Sequence, residues 1–166
     1  MMRRYPGSMS FRAAVLTVSD RSASGERPDT SGPIAVQALR GTGWACEEAM
    51  IVADGKDSVA RALVTLVGSG VRLIITNGGT GIGPRDQTPE GTRFILETEI
   101  PGIAEEIRRR SAIDKPSAAL SRGVAGLAGG ALIVNLPGSP NAVSAGVAFV
   151  LEIARHVIDQ VDGRDH

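Results

Sequence analysis

Two aliphatic runs constrain this chain more than anything else in it. Residues 71–76 read VRLIIT and residues 131–136 read ALIVNL, each almost wholly apolar and each closed by a loop carrying glycine or proline. A strand without polar alternation has both faces covered, so it belongs in the middle of a sheet flanked by helices, the arrangement of parallel α/β folds. The remaining pattern fits. Residues 11–18 (FRAAVLTV) and 44–52 read as two further strands. Pro33 opens a short helix through Leu39 that Gly41 ends, and Ser58 is placed to cap a helix with Val59, Leu63, Leu66 and Val67 on one face. Thr88-Pro89 supplies a cap and first-turn proline for a helix to about Thr98. Pro101 starts another that ends in the basic residues 108–110. A last helix follows Pro140, with Val143, Val147, Val150, Leu151, Ala154, Val157, Ile158 and Val161 at helical spacing. The expectation is an α/β fold around a largely parallel sheet.

A length of 166 residues suits one domain with a full core and leaves no room for two ordinary ones. Residues 11–166 are therefore read as a single domain, and residues 1–10 as a loose extension. Eighteen Lys and Arg balance eighteen Asp and Glu, so no global field attracts nucleic acid or an acidic membrane surface. No uninterrupted apolar run reaches the ~18 to 20 residues of a membrane span. The lone Cys46 excludes an internal disulfide framework and a cysteine-based zinc site, fits a reducing cytoplasm, and reads as a small packed residue.

Ligands in open α/β sheets bind where loops converge beyond the carboxyl ends of the strands. Four loops hold that place: SDRSASGE, ADGKD, NGGTGIGPRDQTPE and LPGSPNAV. Gly78, Gly79, Thr80 and Gly81 can bring backbone N–H groups close to a phosphate, although the same glycines read equally as a tight strand-to-helix turn. The loop is neither a Walker motif nor a dinucleotide fingerprint. Asp86 lies beside it and Asp54 ends the second strand. Each alone is an ordinary loop aspartate; together they are placed to share a divalent cation such as Mg²⁺ against a phosphate. Asp20 and Asp29 are weaker candidates in the first loop. Ser139, at the start of the last helix, serves either as a helix cap or as an anion contact. No His, Cys or Ser arrangement supports a hydrolytic triad.

Taken in order, VSDRSASGE with Asp29, ITNGGTGIGPRDQTPE, LSRGVAGL and LIVNLPGSPNAV resemble the MogA/MoaB group of molybdenum-cofactor biosynthesis proteins, found also as the G domain of gephyrin and its plant counterpart. The resemblance covers roughly residues 11 to 161. It implies a three-layer α/β sandwich that binds molybdopterin and assembles as a trimer, or as a hexamer of paired trimers. It also implies adenylylation of molybdopterin by ATP with Mg²⁺, pyrophosphate release, and hand-over to a metal-insertion protein of the MoeA type. Carried over by position, Asp54 and Asp86 are the catalytic and Mg²⁺-associated carboxylates, and Gly78, Gly79, Thr80 and Gly81 the nucleotide-phosphate loop. Ser19, Asp20, Ser24, Thr88, Ser121, Pro137, Gly138 and Pro140 are assigned to pterin or nucleotide contacts. Asn77 stands where some members have Thr. Rival readings within the resemblance are a non-catalytic MoaB-like molybdopterin carrier and, more distantly, a nucleotide-hydrolysing relative of competence-damage proteins.

Overall fold

The computed structural model describes residues 11–164, so the expected N-terminal extension lies outside the described residues. The two aliphatic runs take the middle of a seven-stranded sheet. Strand β1 (Arg12–Val18) is followed by α1 (Asp20–Ala23), α2 (Gly32–Gly41), β2 (Ala45–Cys46), β3 (Met50–Val52) and α3 (Lys56–Gly68). Then come β4 (Leu73–Asn77), α4 (Thr88–Ile95), β5 (Thr98–Glu99), α5 (Pro101–Asp114), a 3₁₀ turn (Pro116–Leu120), β6 (Ala125–Ala128), β7 (Ala131–Leu136) and α6 (Pro140–Val161). The order across the sheet is β2-β1-β4-β7-β6-β5, with β3 also on β1. Strands β1, β4 and β7 are parallel neighbours, in register at Ile74 with Ala14 and Ile133.

Successive residues of the central strands serve opposite cores. Leu73, Ile75, Leu132 and Val134 pack with Leu39 of α2, Ile103 and Ile107 of α5, and Val143, Val147 and Val150 of α6. The alternating Ile74 and Ile133 face the other way, against Val59 and Leu63 of α3. The aliphatic residues of both central strands are thus buried on one face or the other, as the period of two dictates. Helix α6 is long and apolar enough, by length and composition, to cross a membrane. Its Val143, Val147, Val150, Ala154 and Ile158 are nevertheless fully buried in the first core, while Glu152 and Arg155 face outward, as in the core helix of an α/β domain.

The sheet is largely parallel, as expected, with two antiparallel pairings at one edge, β6 on β7 and β5 on β6. Several local expectations are corrected. The strand expected over residues 44–52 is two short pieces: Arg40 Nε donates to the Cys46 carbonyl at 2.8 Å, and the chain leaves the sheet over Glu47 and Glu48 before β3. Cys46 is half-buried, and burial pushes its thiol up in pKa. Ser58 does not cap α3. Gly55 at φ +130 opens that helix earlier, and Ser58 Oγ donates to the Ala53 and Gly55 carbonyls. Thr88 is the first residue of α4 and not its cap; its hydroxyl donates to Gly78 O at 2.9 Å. That helix stops at Ile95 because Thr98 and Glu99 pair with β6, and α5 continues past the basic residues to Asp114.

Strand β7 carries one polar side chain among its aliphatic residues, and its neighbours satisfy it. Asn135 is buried, its Nδ2 donates to Thr76 and Thr92 hydroxyls at 2.9 and 3.0 Å, and its Oδ1 accepts from Val124 N at 3.1 Å. Asn135→Ala removes all three bonds and strands a buried N–H, so denaturant unfolding should show a loss of about 2–4 kcal/mol. A loss below about 1 kcal/mol would mean that water replaces the amide.

Candidate active site

The loops after β1, β3, β4 and β7 meet at one end of the sheet around a cleft of about 630 Å³. Of the residues singled out in the sequence, Ser19, Asp54, Gly78, Gly79, Thr80, Gly81, Asp86, Ser121, Pro137, Gly138 and Pro140 line it. Asp20, Ser24 and Thr88 do not. Ser24 closes α1, its Oγ donating to Arg21 O; Thr88 and Asp20 act from behind the wall, as described below.

The first loop is built to hold its shape. Ser19 accepts from Ser22 N at 3.2 Å and so caps α1. Asp29 takes the Thr17 hydroxyl at 2.7 Å and the Gly32 N–H at 2.9 Å, which fixes the start of α2. Ser31 Oγ then reaches Gly138 O at 2.7 Å and ties this loop to the turn after β7. In that turn Ser139 caps α6, accepting from Ala142 N at 3.3 Å, while also lining the cleft.

The glycine loop leaves β4 on two left-handed residues, Gly78 at φ +94 and Gly79 at φ +67. A Cβ on Gly78 would overlap Val18 O, and one on Gly79 would overlap Thr88 Oγ1 and stand 3.1 Å from Asp54 Oδ1. The backbone therefore lies directly against the Asp54 carboxylate, an approach only glycine permits. Asp54 Oδ2 accepts from Asp20 N at 2.9 Å, and Asp20 Oδ1 accepts from Asp54 N at 3.0 Å. Asp86 Oδ2 accepts from Gly83 N at 3.0 Å. Among the described residues, the Oδ1 atoms of Asp54 and Asp86 accept no hydrogen bond and stay available to the cleft. Burial raises the pKa of Asp54, and the neighbouring charges of Asp20 and Asp86 add to the rise. The arrangement attracts a cation to the cleft.

Two arginines that sequence reasoning left aside organise this acidic end. Arg85 forks onto Asp20, Nε to Oδ2 at 3.1 Å and Nη2 to Oδ1 at 3.0 Å, and Nη2 also donates to Asp54 O at 2.9 Å. That fork holds the Asp20 carboxyl below its ordinary pKa. Arg122 spans the glycine loop, Nε to Gly81 O at 2.8 Å and Nη2 to Asp86 O at 2.7 Å, with Nη1 on the Glu90 carboxylate. Its own N–H donates to Thr80 O at 2.7 Å. Arg85 and Arg122 stand next to motif residues, Asp86 and Ser121, so adjacency was the available signal. The far wall of the cleft adds Arg27, Ser111, Lys115 and Ser117, for which composition and spacing offered none.

Asp54 and Asp86 suit Mg²⁺ in donor type: hard oxygens from two loops, both with a free atom. Among the described residues no three His, Cys, Asp or Glu side chains are grouped to hold a metal ion. Mg²⁺ is the ion for which one or two carboxylates suffice, because substrate phosphates and water complete its shell.

Comparison with known proteins agrees with this architecture. The family model described as "Probable molybdopterin binding domain" matches residues 14–156. The chain is 35% identical over 154 residues to the molybdopterin adenylyltransferase of Pyrococcus furiosus, covering 90% of this chain and 90% of that protein. It is also 35% identical to the molybdenum cofactor biosynthesis bifunctional protein of Synechococcus elongatus, over 93% of this chain but only 48% of that longer protein. Among solved structures, the molybdopterin biosynthesis Mog protein from Mycobacterium ulcerans superposes with a TM-score of 0.87 at 45% identity, covering 92% of this chain and 99% of that one. With the fold, the order of its loops and nearly its whole length in common with these proteins, the chain belongs to the molybdopterin-binding domain family of molybdenum cofactor biosynthesis.

Proposed function

We propose that this chain adenylylates molybdopterin in molybdenum cofactor biosynthesis, using ATP with Mg²⁺ and releasing pyrophosphate. The observation that carries the reading is the placing of two carboxylates, each with a free oxygen, along one glycine loop at the cleft, Asp54 against Gly79 and Asp86 against Gly81. An oxygen of the molybdopterin phosphate forms a bond to the α-phosphorus of ATP while the bond from that phosphorus to the bridging oxygen of pyrophosphate breaks. Both partners are anions, so the reaction needs alignment and charge neutralisation more than proton transfer. The attacking oxygen is already ionised at neutral pH, which accounts for a site built without histidine or cysteine. Mg²⁺, when bound, neutralises charge developing on the phosphates. The protein's part is to aim two carboxylates and hold the glycine loop rigid, through Asp20 behind Asp54 and Arg122 across the loop.

The test is pyrophosphate release from ATP, Mg²⁺ and molybdopterin, run beside a pterin-binding assay. Turnover dependent on all three components is the expected result. Pterin binding without pyrophosphate release replaces the reading with that of a carrier, and ATP hydrolysis without pterin replaces it with that of a nucleotide hydrolase.

The proposal extends to assembly, compartment and hand-over: a cytoplasmic trimer, or a hexamer of paired trimers, that delivers its product to a MoeA-type metal-insertion protein. Phe94, Ile82, Ile113 and Leu120 are each more than half exposed, a supply of apolar surface that a single chain leaves in water. Light scattering at micromolar concentration should give three or six times 17.2 kDa; a mass of one chain removes the assembly from the proposal.

A further inference from the structure

Arg85 is an exposed loop residue whose guanidinium makes three hydrogen bonds, two to the Asp20 carboxylate and one to the Asp54 carbonyl, behind the acidic wall of the cleft. Its side chain is 64% exposed and Asp20 is 45% exposed. An ion pair this wet contributes about 0–1 kcal/mol to stability, so holding the fold together does not explain it. What the pair does change is charge. Asp20, Asp54 and Asp86 would place three carboxylates at adjoining loop ends, and the Asp20–Asp54 pair is locked by reciprocal bonds from each backbone N–H to the other's carboxylate. With Arg85 in place both Asp20 oxygens are engaged, and the guanidinium also occupies Asp54 O. The charge of Asp20 is thereby compensated, and one positive charge stands behind the wall that carries Asp54.

We propose that Arg85 is a positioning residue that acts as a resident cation: by neutralising Asp20 beside Asp54, it keeps the carboxylate end of the cleft too weakly charged to hold a divalent ion alone, so that the ion enters together with nucleotide phosphates. This rests on the function proposed above, because it presumes that Asp54 and Asp86 meet a metal–nucleotide complex. The consequence is coupling: the metal and the polyphosphate each raise the other's affinity, and by linkage they do so equally. Without Arg85 the uncompensated charge of Asp20 would add to the field of Asp54 and Asp86, draw a free divalent ion to the cleft and weaken that dependence. A merely structural Arg85 predicts the opposite, since releasing Asp20 and Asp54 from their clasp would loosen any ligand they hold.

The experiment is a titration of the full chain with Mn²⁺ alone, without nucleotide, following free Mn²⁺ by electron paramagnetic resonance. Parent, Arg85→Gln and the double variant Asp20→Asn with Arg85→Gln are compared, each checked for an unchanged circular dichroism spectrum. Removing one positive charge several ångströms from a divalent ion should tighten Mn²⁺ binding about tenfold in Arg85→Gln. In the double variant one negative charge is removed as well, and Mn²⁺ affinity should return to within about twofold of the parent. In a second series with ATP, corrected for the Mn²⁺ that ATP binds without protein, ATP should enhance Mn²⁺ uptake by the parent strongly and by Arg85→Gln much less. Equal or weaker Mn²⁺ binding by Arg85→Gln overturns the proposal, as does a double variant that stays as tight as the single one. None of these readings depends on turnover, so a parent that binds Mn²⁺ with ATP but releases no pyrophosphate sinks the proposed reaction and leaves this test intact. A parent whose Mn²⁺ binding ATP does not improve overturns the coupling directly.

Discussion

Asp86→Asn should lower the rate of adenylylation by about 10²-fold or more, the order expected when a charged group that acts on the transition state is lost. The substitution isolates charge from shape. In the parent, Asp86 Oδ2 accepts from Gly83 N at 3.0 Å, and an asparagine oxygen can accept the same bond. Arg122 holds this residue through its main-chain carbonyl, which the variant keeps. The loop should therefore stay in place while the cleft loses one of its two free carboxylate atoms. Molybdopterin affinity should change far less than the rate, and in the tightening direction, since the anionic phosphate loses a like-charged neighbour while the pterin rings are uncharged. The measurement is the rate and pterin affinity of both proteins across a Mg²⁺ series. Partial recovery at high Mg²⁺ assigns the defect to metal affinity. Equal rates would remove Asp86 from the reaction, and a rate loss matched by an equal loss of pterin affinity would make it a binding residue.

Gly79→Val should cost even more of nucleotide binding, by about 10²-fold or more in ATP affinity, because it strikes three things at once. A β-branched residue at φ +67 is strained by roughly 1–3 kcal/mol, its Cβ overlaps the Thr88 hydroxyl, and it stands 3.1 Å from Asp54 Oδ1. Displacing Thr88 breaks its bond to Gly78 O, so the start of α4 shifts with the loop. The fold should survive at a lower midpoint, by roughly 2–4 °C per kcal/mol for a chain of this size. Gly79→Ala supplies the smaller step: the same overlap without branching, and an intermediate loss. ATP affinity in Gly79→Val equal to the parent's would place the phosphates elsewhere in the cleft.

The parts of this fold that pattern reveals are those where one physical demand dominates. Strands β4 and β7 are covered on both faces and had to be apolar throughout, and α6 had to present Val143, Val147 and Val150 to one core; both are legible without any structure. Strand β6 is not, because Ala125, Gly126 and Ala128 carry no propensity for a strand, and only pairing with β7 makes them one. Helix α1 hides in a polar loop for a similar reason: it buries nothing and exists because Ser19 caps it. At the split between β2 and β3, Arg40 binds the Cys46 carbonyl, a contact that spacing does not encode. In the cleft, glycines and aspartates announce themselves by type. Arg85 and Arg122 do not, since a loop arginine reads as a solvated charge until its acceptors are seen. Their acceptors come from loops 31 to 65 residues away along the chain, beyond the range of any local pattern.

Arg122 also fixes how long the glycine loop must be. One guanidinium and one N–H grip the chain at Thr80, Gly81, Asp86 and the Glu90 carboxylate, closing residues 80–90 into a ring without a covalent bond. A guanidinium is planar and its donors diverge at set angles, so the ring has a circumference that one inserted or deleted residue cannot match. Most surface loops absorb such changes for little free energy. Here a frame shift of one residue would carry Asp86 out of reach of Arg122 while leaving every motif letter present. The spacing between Gly81 and Asp86 is therefore as much a part of the site's chemistry as the residues themselves, and a graft that copied the letters onto another strand end without the segment before β6 would carry a floppy strap in place of a cradle.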